Sequence, residues 1–214
     1  MKLYTFFRSS AAYRARIALN YKGIAYEAVP VDLRAPASAQ RAPEFLDLNP
    51  EGLVPVLVDG DRIIRQSLAI IEYLEETYPS PPLLPRTAID RAQVRALTLA
   101  IACDIHPLNN LRVLNYLRGP LARTDAEVNS WYAHWVAAGF TALEREVAHT
   151  SADGQHMFGA AVSLADVFIV PQMYNARRLH CDLESYPRLR SICAYLETLS
   201  AFARAAPQVQ PDAG

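Results

Sequence analysis

The sequence predicts a small α/β domain followed by an all-helical domain. Three observations lead to this fold class. Hydrophobic periodicity changes repeatedly over the first 78 residues and stays helical afterwards. Prolines cluster at 79–85, where they suit a stiff extended linker. A chain of 214 residues, 51% hydrophobic, is long enough for two small cores. The predicted limits are 1–78 for the α/β domain, 79–86 for the linker and 87–214 for the helical domain.

The first domain alternates between strand and helix patterns. The predicted elements are, in order, a strand at 2–7, a helix at 9–22, a strand at 25–31, a short helix at 42–48, strands at 54–58 and 62–64, and a helix at 67–78. The first strand, helix and strand predict a right-handed parallel crossover. Asp59-Gly60-Asp61 lies between two short apolar runs, which indicates a β-hairpin.

The second domain shows only helical patterns. The predicted helices are 88–117, 124–149, one that begins at Ser163, and 186–200, followed by a loose tail after 207. Pro107 lies inside the first of these and predicts a kink. Thr124-x-x-Glu127 and Ser163-x-x-Asp166 have the spacing of capping boxes, so we interpret the second as a cap and not as a catalytic pair. The stripe expected to face the core consists of Val128, Trp131, Trp135 and Ala138.

Composition excludes several classes of function. The 21 Lys and Arg residues nearly cancel the 22 Asp and Glu residues, so the basic excess typical of a nucleic-acid binder is missing. The three cysteines form no CxxC pair, which argues against a disulfide framework or zinc site; no metal is expected. The longest nearly apolar run, 96–103, is far shorter than the roughly 18 residues of a membrane helix. Residues 1–7 lack a signal-peptide pattern. We expect a cytoplasmic protein with no nucleic-acid or membrane partner.

Five stretches carry a family resemblance. They are FRSSAAYRARIAL at 7–19, LNP at 48–50, VP at 54–55, QSLAIIEYLEE at 66–76 and DIHPLNN at 104–110. In this order and spacing they resemble the zeta-class glutathione transferases, which include the bacterial maleylpyruvate and maleylacetoacetate isomerases. The resemblance implies a thioredoxin-like N-terminal domain, a C-terminal helical bundle, glutathione as cofactor and a homodimer. The chain departs from the class at Ala11, where the family has cysteine.

Ser9 and Ser10 lie where a strand runs into a helix. The N–H groups and partial positive charge of a helix N-terminus stabilise a thiolate, as does a serine O–H bond. Each unit of pKa lowering needs about 1.4 kcal/mol, so together these could lower a bound thiol by about one or two units. The residues alone leave a simple N-cap as the alternative for Ser9. The resemblance implies that Ser9 contacts the glutathione thiol, with Ser10 as the alternative and Ala11 beside it.

The resemblance assigns further glutathione contacts. A cis Val54–Pro55 peptide would turn the backbone of Val54 toward the bound tripeptide. At Gln66-Ser67 a helix begins, where Ser67 could cap and the N–H groups could hold the γ-glutamyl carboxylate. Gln40 would reach the glycyl end. The remaining implied contacts are His106, Asn110 and Arg112.

A second substrate with two carboxylates would favour arginine, whose guanidinium forms paired bonds to carboxylates. The resemblance places Arg8 and Arg178 at this task, with Arg112 and Arg177 as the next candidates. Surface arginines are usually only solvated, and that alternative stays open for each. His106 could bond glutathione or substrate, or be structural. The implied catalytic set is Ser9, Arg8, Arg178 and His106.

The resemblance implies glutathione-dependent cis–trans isomerisation of maleylpyruvate or maleylacetoacetate, and the sequence does not choose between these substrates. A glutathione transferase or dehalogenase acting on small electrophilic acids shares the thiol site but consumes glutathione. A non-catalytic binding module of the same fold is the third alternative. Such a module is expected to lack the serine pair or the Gln-Ser motif, and this chain has both.

Overall fold

The computed structural model describes residues 1–34 and 38–213, which form two compact units. Met1–Pro82 and Thr198–Gly214 make up the first unit, and Leu83–Glu197 the second. The domain limits expected from the sequence differ from these units mainly at the C-terminus, because the last residues group with the first unit. The division into domains 1–78 and 87–214 with a linker at 79–86 stays a prediction.

The first unit contains one mixed sheet of four strands, β1 (Lys2–Thr5), β2 (Glu27–Pro30), β3 (Val56–Asp59) and β4 (Arg62–Arg65). The strand order is β2-β1-β3-β4. β1 pairs parallel with β2, whereas β3 is antiparallel to both β1 and β4. The predicted parallel crossover and the Asp-Gly hairpin are therefore both confirmed. β1 is central, so the residues that follow it emerge from the middle of the sheet.

The described α-helices of the first unit are α1 (Ser10–Tyr21), α2 (Pro43–Leu48), α3 (Ser67–Thr77) and, after the second unit, α9 (Ser200–Ala203). α1 contacts both α3 and α9. Its side chains from Ala12 to Leu19 are buried, including two arginines. The core around them contains Leu3, Leu57 and Ile70, all with no exposed surface. α1 is thus a central helix, and its N-terminus follows directly from β1.

The second unit contains α4 (Ala88–Leu99), α5 (Leu111–Arg118), α6 (Asp125–Thr150), α7 (Leu164–Arg178) and α8 (Pro187–Thr198). The prediction of one kinked helix over 88–117 is wrong. α4 continues into a π-helical segment, Ala100–Ile105, closed by the His106 N–H on the Ile101 carbonyl at 2.9 Å. The chain then leaves the helix at 106–110, and Asn110 caps α5. Pro107 has no N–H to continue the helix, so a turn replaces the kink.

The buried face of α6 differs from the predicted stripe. Val128, Tyr132, Val136 and Phe140 are buried at intervals of four residues. Trp131 and Trp135 are only half-buried, and Ala138 is exposed. Both stripes begin at Val128 and satisfy helical spacing, so periodicity alone cannot separate them. The Trp131 indole N–H donates to the Leu108 carbonyl at 2.9 Å, which fits a ring whose polar edge needs a partner.

Both predicted capping boxes are present. Thr124 Oγ1 accepts a hydrogen bond from the Glu127 N–H, and the Glu127 carboxylate accepts one from the Thr124 N–H at 2.8 Å. In the second box, the fully buried Asp166 accepts both the N–H and the hydroxyl of Ser163 at 2.7 Å. Asp166 also accepts the Met157 N–H at 2.7 Å, which ties the preceding loop to α7. Within the described residues, no helix is both long and apolar enough to span a lipid bilayer.

The C-terminal tail is packed, and the prediction of a loose tail after 207 is wrong. Pro207–Val209 forms a short 3₁₀ helix, and Pro207 is buried. Asp212 accepts the Phe7 N–H at 2.9 Å. Termini fray when nothing holds them, but here apolar contacts and hydrogen bonds both do. The sequence alone does not show which surface such a segment will contact.

Candidate functional site

The turn between β1 and α1 places Ser9 at the N-cap of α1. Ser9 has extended backbone angles, its Oγ accepts the Ala12 N–H at 3.2 Å, and its carbonyl accepts the Tyr13 N–H at 2.8 Å. Capping uses an oxygen lone pair, so the hydroxyl proton can still be donated to a ligand. The N-cap and the thiol contact are therefore compatible roles. Ser10 is the first helical residue and is buried, which makes Ser9 the better-placed serine.

Arg8 precedes Ser9 and is exposed. Its guanidinium lies 5.1 Å from the ring centroid of Phe7 and 5.8 Å from that of Phe6. Arg34 lies 5.8 Å from both of the same rings and forms an ion pair with Asp32 at 2.9 Å. The hydrogen bonds from Arg34 lower the pKa of Asp32 below its ordinary value. Two guanidiniums, those of Arg8 and Arg34, therefore lie against the same two phenylalanine rings. Guanidiniums held in this way are suited to binding carboxylates.

Two arginines of α1 lie beneath this turn, and the sequence analysis missed both. Arg16 has no exposed surface and donates to the Phe7 carbonyl and to Thr5 Oγ1, each at 2.9 Å. Arg14 is 1% exposed, and its Nη1 lies 3.5 Å from Ser67 Oγ. Burial lowers the pKa of Arg14 to about 9 and that of Arg16 to about 10, so both stay charged at neutral pH. The sequence signal that could have found them is the pair of charged residues, Arg14 and Arg16, within a predicted helix that is otherwise largely apolar.

The start of α3 differs from the expectation that Ser67 caps it. Gln66 occupies the N-cap with φ 67° and ψ 124°, and its side chain makes no capping bond. A positive φ is costly for glutamine and is often found at functional positions. The Gln66 side chain instead donates to Glu51 Oε2 at 2.8 Å, and Ser67 is the first helical residue. The first N–H groups of α3 lack a side-chain cap, so they can bind a carboxylate.

The Val54–Pro55 peptide is cis, as the resemblance implied. The loop before it is fixed by Asn49, which is 1% exposed. The Asn49 side chain donates to the Leu53 carbonyl at 2.7 Å and accepts the Glu51 N–H at 3.2 Å. This explains in physical terms why asparagine stands in the Leu-Asn-Pro stretch. The backbone of Val54 is thereby presented at the end of a well-anchored loop.

Gln40 lies in a short 3₁₀ helix, Ala39–Arg41. Its Oε1 is buried and makes no hydrogen bond to any of the described residues. A buried amide oxygen of this kind is expected to have a partner, and a bound ligand can supply one. Together with the uncapped start of α3 and the cis-proline loop, this orphan oxygen fits a tripeptide with polar ends, as glutathione is.

The second unit holds the other candidates. His106 follows the π-helical segment, and its carbonyl accepts the Asn109 N–H at 3.2 Å. Asn110 uses its side chain to cap α5, accepting the Arg112 N–H at 3.1 Å. Arg112 itself is exposed. The buried Asn109 donates to the Tyr132 carbonyl at 3.2 Å and so anchors the turn on α6. Ligand contacts from His106, Asn110 and Arg112 stay predictions.

The two arginines at the end of α7 have different surroundings. Arg177 forms a two-bond ion pair with Glu197, at 2.7 and 2.9 Å, so its guanidinium is engaged on α8. Arg178 is exposed and lies close enough to Tyr132 to affect its ionisation. Burial raises the pKa of Tyr132 to about 12, while Arg178 and Gln172 oppose the rise. Arg178 is therefore the better candidate for a substrate carboxylate. Sequence reasoning did not find Tyr132, which lies near Arg178, or Gln172, which bonds to the Tyr132 side chain.

The described residues contain no group of three or more His, Cys, Asp or Glu side chains that could hold a metal ion. The groups that the candidate site brings together are Ser9, main-chain N–H groups and arginines.

Comparison with known proteins agrees with this chemistry. Residues 3–82 match the family model described as glutathione S-transferase, N-terminal domain. A probable maleylacetoacetate isomerase of Vibrio cholerae is 53% identical over 99% of this chain and 97% of that protein. The holo structure of a maleylpyruvate isomerase, a bacterial zeta-class glutathione S-transferase, superposes with a TM-score of 0.97 at 46% identity, covering 100% of both chains. A maleylacetoacetate isomerase of Methylobacterium extorquens AM1 with bound malonate and glutathione gives 0.94 at 40% identity, again over 100% of both chains. The chain belongs to the zeta class of the glutathione S-transferases.

Proposed function

We propose that this protein is a glutathione-dependent cis–trans isomerase that converts maleylpyruvate or maleylacetoacetate to its fumaryl isomer. The observation that carries the proposal is the turn between β1 and α1. It places a serine hydroxyl with a donatable proton at the N-terminus of a helix, directly after an exposed arginine. Full-length relatives at 40–53% identity include the isomerases of both substrates.

The first unit offers the residues that would hold glutathione. The uncapped N–H groups at Ser67 suit the γ-glutamyl carboxylate, and the buried charge of Arg14 beneath them adds to the attraction. Val54 would pair with the peptide backbone, and the Gln40 amide suits the glycyl end. When bound there, glutathione would supply a thiol nucleophile for reversible addition to the cis double bond, without being consumed overall.

The chain's own residues control charge during this reaction. Ser9 donates a hydrogen bond from its hydroxyl to the sulfur and so favours the thiolate near neutral pH. Arg8 binds a substrate carboxylate and stabilises the enolate charge that develops next to it, which is electrostatic catalysis. Arg178 is the corresponding candidate in the second unit, because Arg177 is occupied by Glu197. For His106 we propose a contact with glutathione or substrate through its imidazole.

We also propose a cytoplasmic homodimer. The three cysteines Cys103, Cys181 and Cys193 are all free thiols, which suits a reducing compartment. Several large apolar side chains are exposed, among them Ile89 at 66% and Ile63 at 43%, and association of two copies would cover surface of this kind. Light scattering during size-exclusion chromatography should give twice the mass of 23.8 kDa.

The direct test mixes the purified protein with maleylpyruvate and glutathione. Loss of the substrate enol absorbance, formation of fumarylpyruvate and an unchanged thiol count after many turnovers are expected. Turnover in thiol-free buffer would contradict the mechanism, and a falling thiol count would identify a transferase or dehalogenase instead. Repeating the assay with maleylacetoacetate decides which substrate has the higher kcat/KM.

The role of Arg8 is tested with a matched pair of variants. Arg8→Ala should raise KM for the dicarboxylate by roughly tenfold or more while KM for glutathione stays nearly constant, because a charge-assisted bond is lost. Arg62→Ala, an exposed arginine on β4, should leave both values unchanged. Equal effects of the two substitutions would show that only the overall charge matters.

A further inference from the structure

The C-terminal segment reaches the turn that carries Arg8 and Ser9. Asp212 Oδ2 accepts the Phe7 N–H at 2.9 Å, across 205 positions of sequence. The segment before Asp212 is itself fixed. Gln210 donates its side-chain amide to the carbonyls of Arg204, at 3.0 Å, and Ala206, at 2.9 Å. Asp212 therefore belongs to an anchored structure and is not the end of a free tail.

The Phe7 residue is held on both of its main-chain polar groups. Asp212 accepts its N–H, and Arg16 donates to its carbonyl at 2.9 Å. Arg16 also donates to the Ala205 carbonyl at 3.0 Å, so the same guanidinium binds the turn and the C-terminal segment. The two side chains that clamp Phe7 carry opposite charges.

The charge of Asp212 has a second effect. Burial lowers the pKa of Arg16, and the carboxylate of Asp212 is among the negative charges that oppose this fall. The pKa of Arg34 is raised chiefly by its bonds to Asp32, with a further contribution from Asp212. The negative charge of Asp212 thus favours the charged form of two guanidiniums, that of Arg16 below the turn and that of Arg34 beside the Phe7 ring.

We propose that Asp212 is a positioning residue for the isomerase, holding the Phe7 main chain so that Arg8 and Ser9 adopt their working geometry. The proposal rests on the proposed function, which gives Arg8 and Ser9 their roles. Phe7 directly precedes Arg8, which precedes Ser9, and planar peptide bonds transmit a shift at Phe7 to the residues that follow. Small misplacements of reacting groups have large kinetic effects, on the order of a hundredfold for about 1 Å.

The alternative is that Asp212 only tethers the tail and contributes to stability. Three variants separate the two roles. Asp212→Ala removes the acceptor, Asp212→Asn keeps an acceptor oxygen without the charge, and Asp61→Asn is a control at an exposed carboxylate in the β3–β4 turn. The readouts are hydrogen exchange at the Phe7 amide in the ligand-free protein, the pKa of the bound glutathione thiol from thiolate absorbance, and kcat/KM.

For Asp212→Ala we expect faster exchange at Phe7, an upward shift of the bound thiol pKa, and kcat/KM lower by roughly tenfold or more. Asp212→Asn should shift all three in the same direction by a smaller amount, because a neutral acceptor is weaker. The Asp61→Asn control should match the unmodified protein. If Asp212→Ala does not fold, the Asn variant decides by the same readouts.

Two results would overturn the proposal. Unchanged exchange at Phe7 means that the contact does not hold the turn in solution. Faster exchange with thiol pKa unchanged and kcat/KM within about twofold of the parent means that Asp212 is only a tether. If the unmodified protein binds glutathione but isomerises neither substrate, the proposed function fails on its own, while exchange and thiol pKa still test the positioning role.

Discussion

Removing the Ser9 hydroxyl separates its two roles quantitatively. Ser9→Ala deletes the bond from Oγ to the Ala12 N–H, and loss of an N-cap costs about 1 kcal/mol in free energy of unfolding. The same substitution deletes the proposed bond to the thiolate. A hydrogen bond to a charged group contributes about 1.5–3 kcal/mol, which equals about one to two pKa units. The bound thiol pKa should rise by that amount.

The sign of the pH dependence follows from which form Ser9 stabilises. Its hydroxyl donates to the anion, so removing it disfavours the thiolate and raises the thiol pKa. At pH values below the thiol pKa of the parent protein, the thiolate fraction and kcat should fall by roughly 10- to 100-fold. The loss should shrink as the pH rises toward the raised pKa, and activity should return above it. The assay is a pH profile of kcat and kcat/KM together with thiolate absorbance, with urea unfolding as the measure of stability.

Two further variants make this reasoning refutable. Aspartate caps helices as well as serine does, but when ionised it has no proton to donate. Ser9→Asp should therefore keep the parent stability and lose activity. Ser10→Ala should leave the thiol pKa unchanged, because Ser10 is buried within the first turn. A shifted profile in Ser10→Ala with a parent-like Ser9→Ala would transfer the thiol contact to Ser10.

Three further predictions concern stability and reactivity. Gly139→Ala would place a Cβ on the Ile105 side chain, so urea unfolding should show a loss of about 1–3 kcal/mol that is smaller in an Ile105→Ala background. Lys22→Met removes a fully buried ammonium bonded to Glu75 at 2.7 Å and should lower the free energy of unfolding by about 3–5 kcal/mol, because it leaves a buried carboxylate unpaired. Adding Glu75→Leu should recover part of this loss, and no recovery would show that charge burial is not its cause. A thiol reagent should label exposed Cys103 first, as mass spectrometry would show.

Local signals in the sequence predicted local structure well. The Asp59-Gly60 hairpin and the capping boxes at Thr124 and Ser163 are all present, because each depends on residues within a few positions of one another. Pro107 correctly marked an interruption of the helix, but the expected kink is a turn at 106–110. Proline marks where a helix is interrupted. The π-helical segment before it packs against α6, where Gly139 leaves room for Ile105, and such a distant contact is not visible in the local sequence.

The candidate site shows the same division. Ser9 was found because a strand-to-helix turn is a local pattern, and the start of α3 was found for the same reason. The capping residue was misjudged, since the positive φ of Gln66 shifts the cap by one position. Arg14, Arg16 and Asp212 were missed because their partners lie far away in the sequence or on other elements.

A net charge of -1 conceals how the charges of the first unit are distributed. Arg14 and Arg16 are buried under the starts of α3 and α1, where salt screens them little, and their donors point at a side chain and at main-chain carbonyls. Arg8 is exposed, and its guanidinium lies 5.1 Å from the ring centroid of Phe7. The buried cations therefore hold the scaffold around the turn, while the exposed Arg8 lies at the surface, where the proposed function gives it the substrate carboxylate. This separation is possible because the buried arginines keep their charge at neutral pH despite burial.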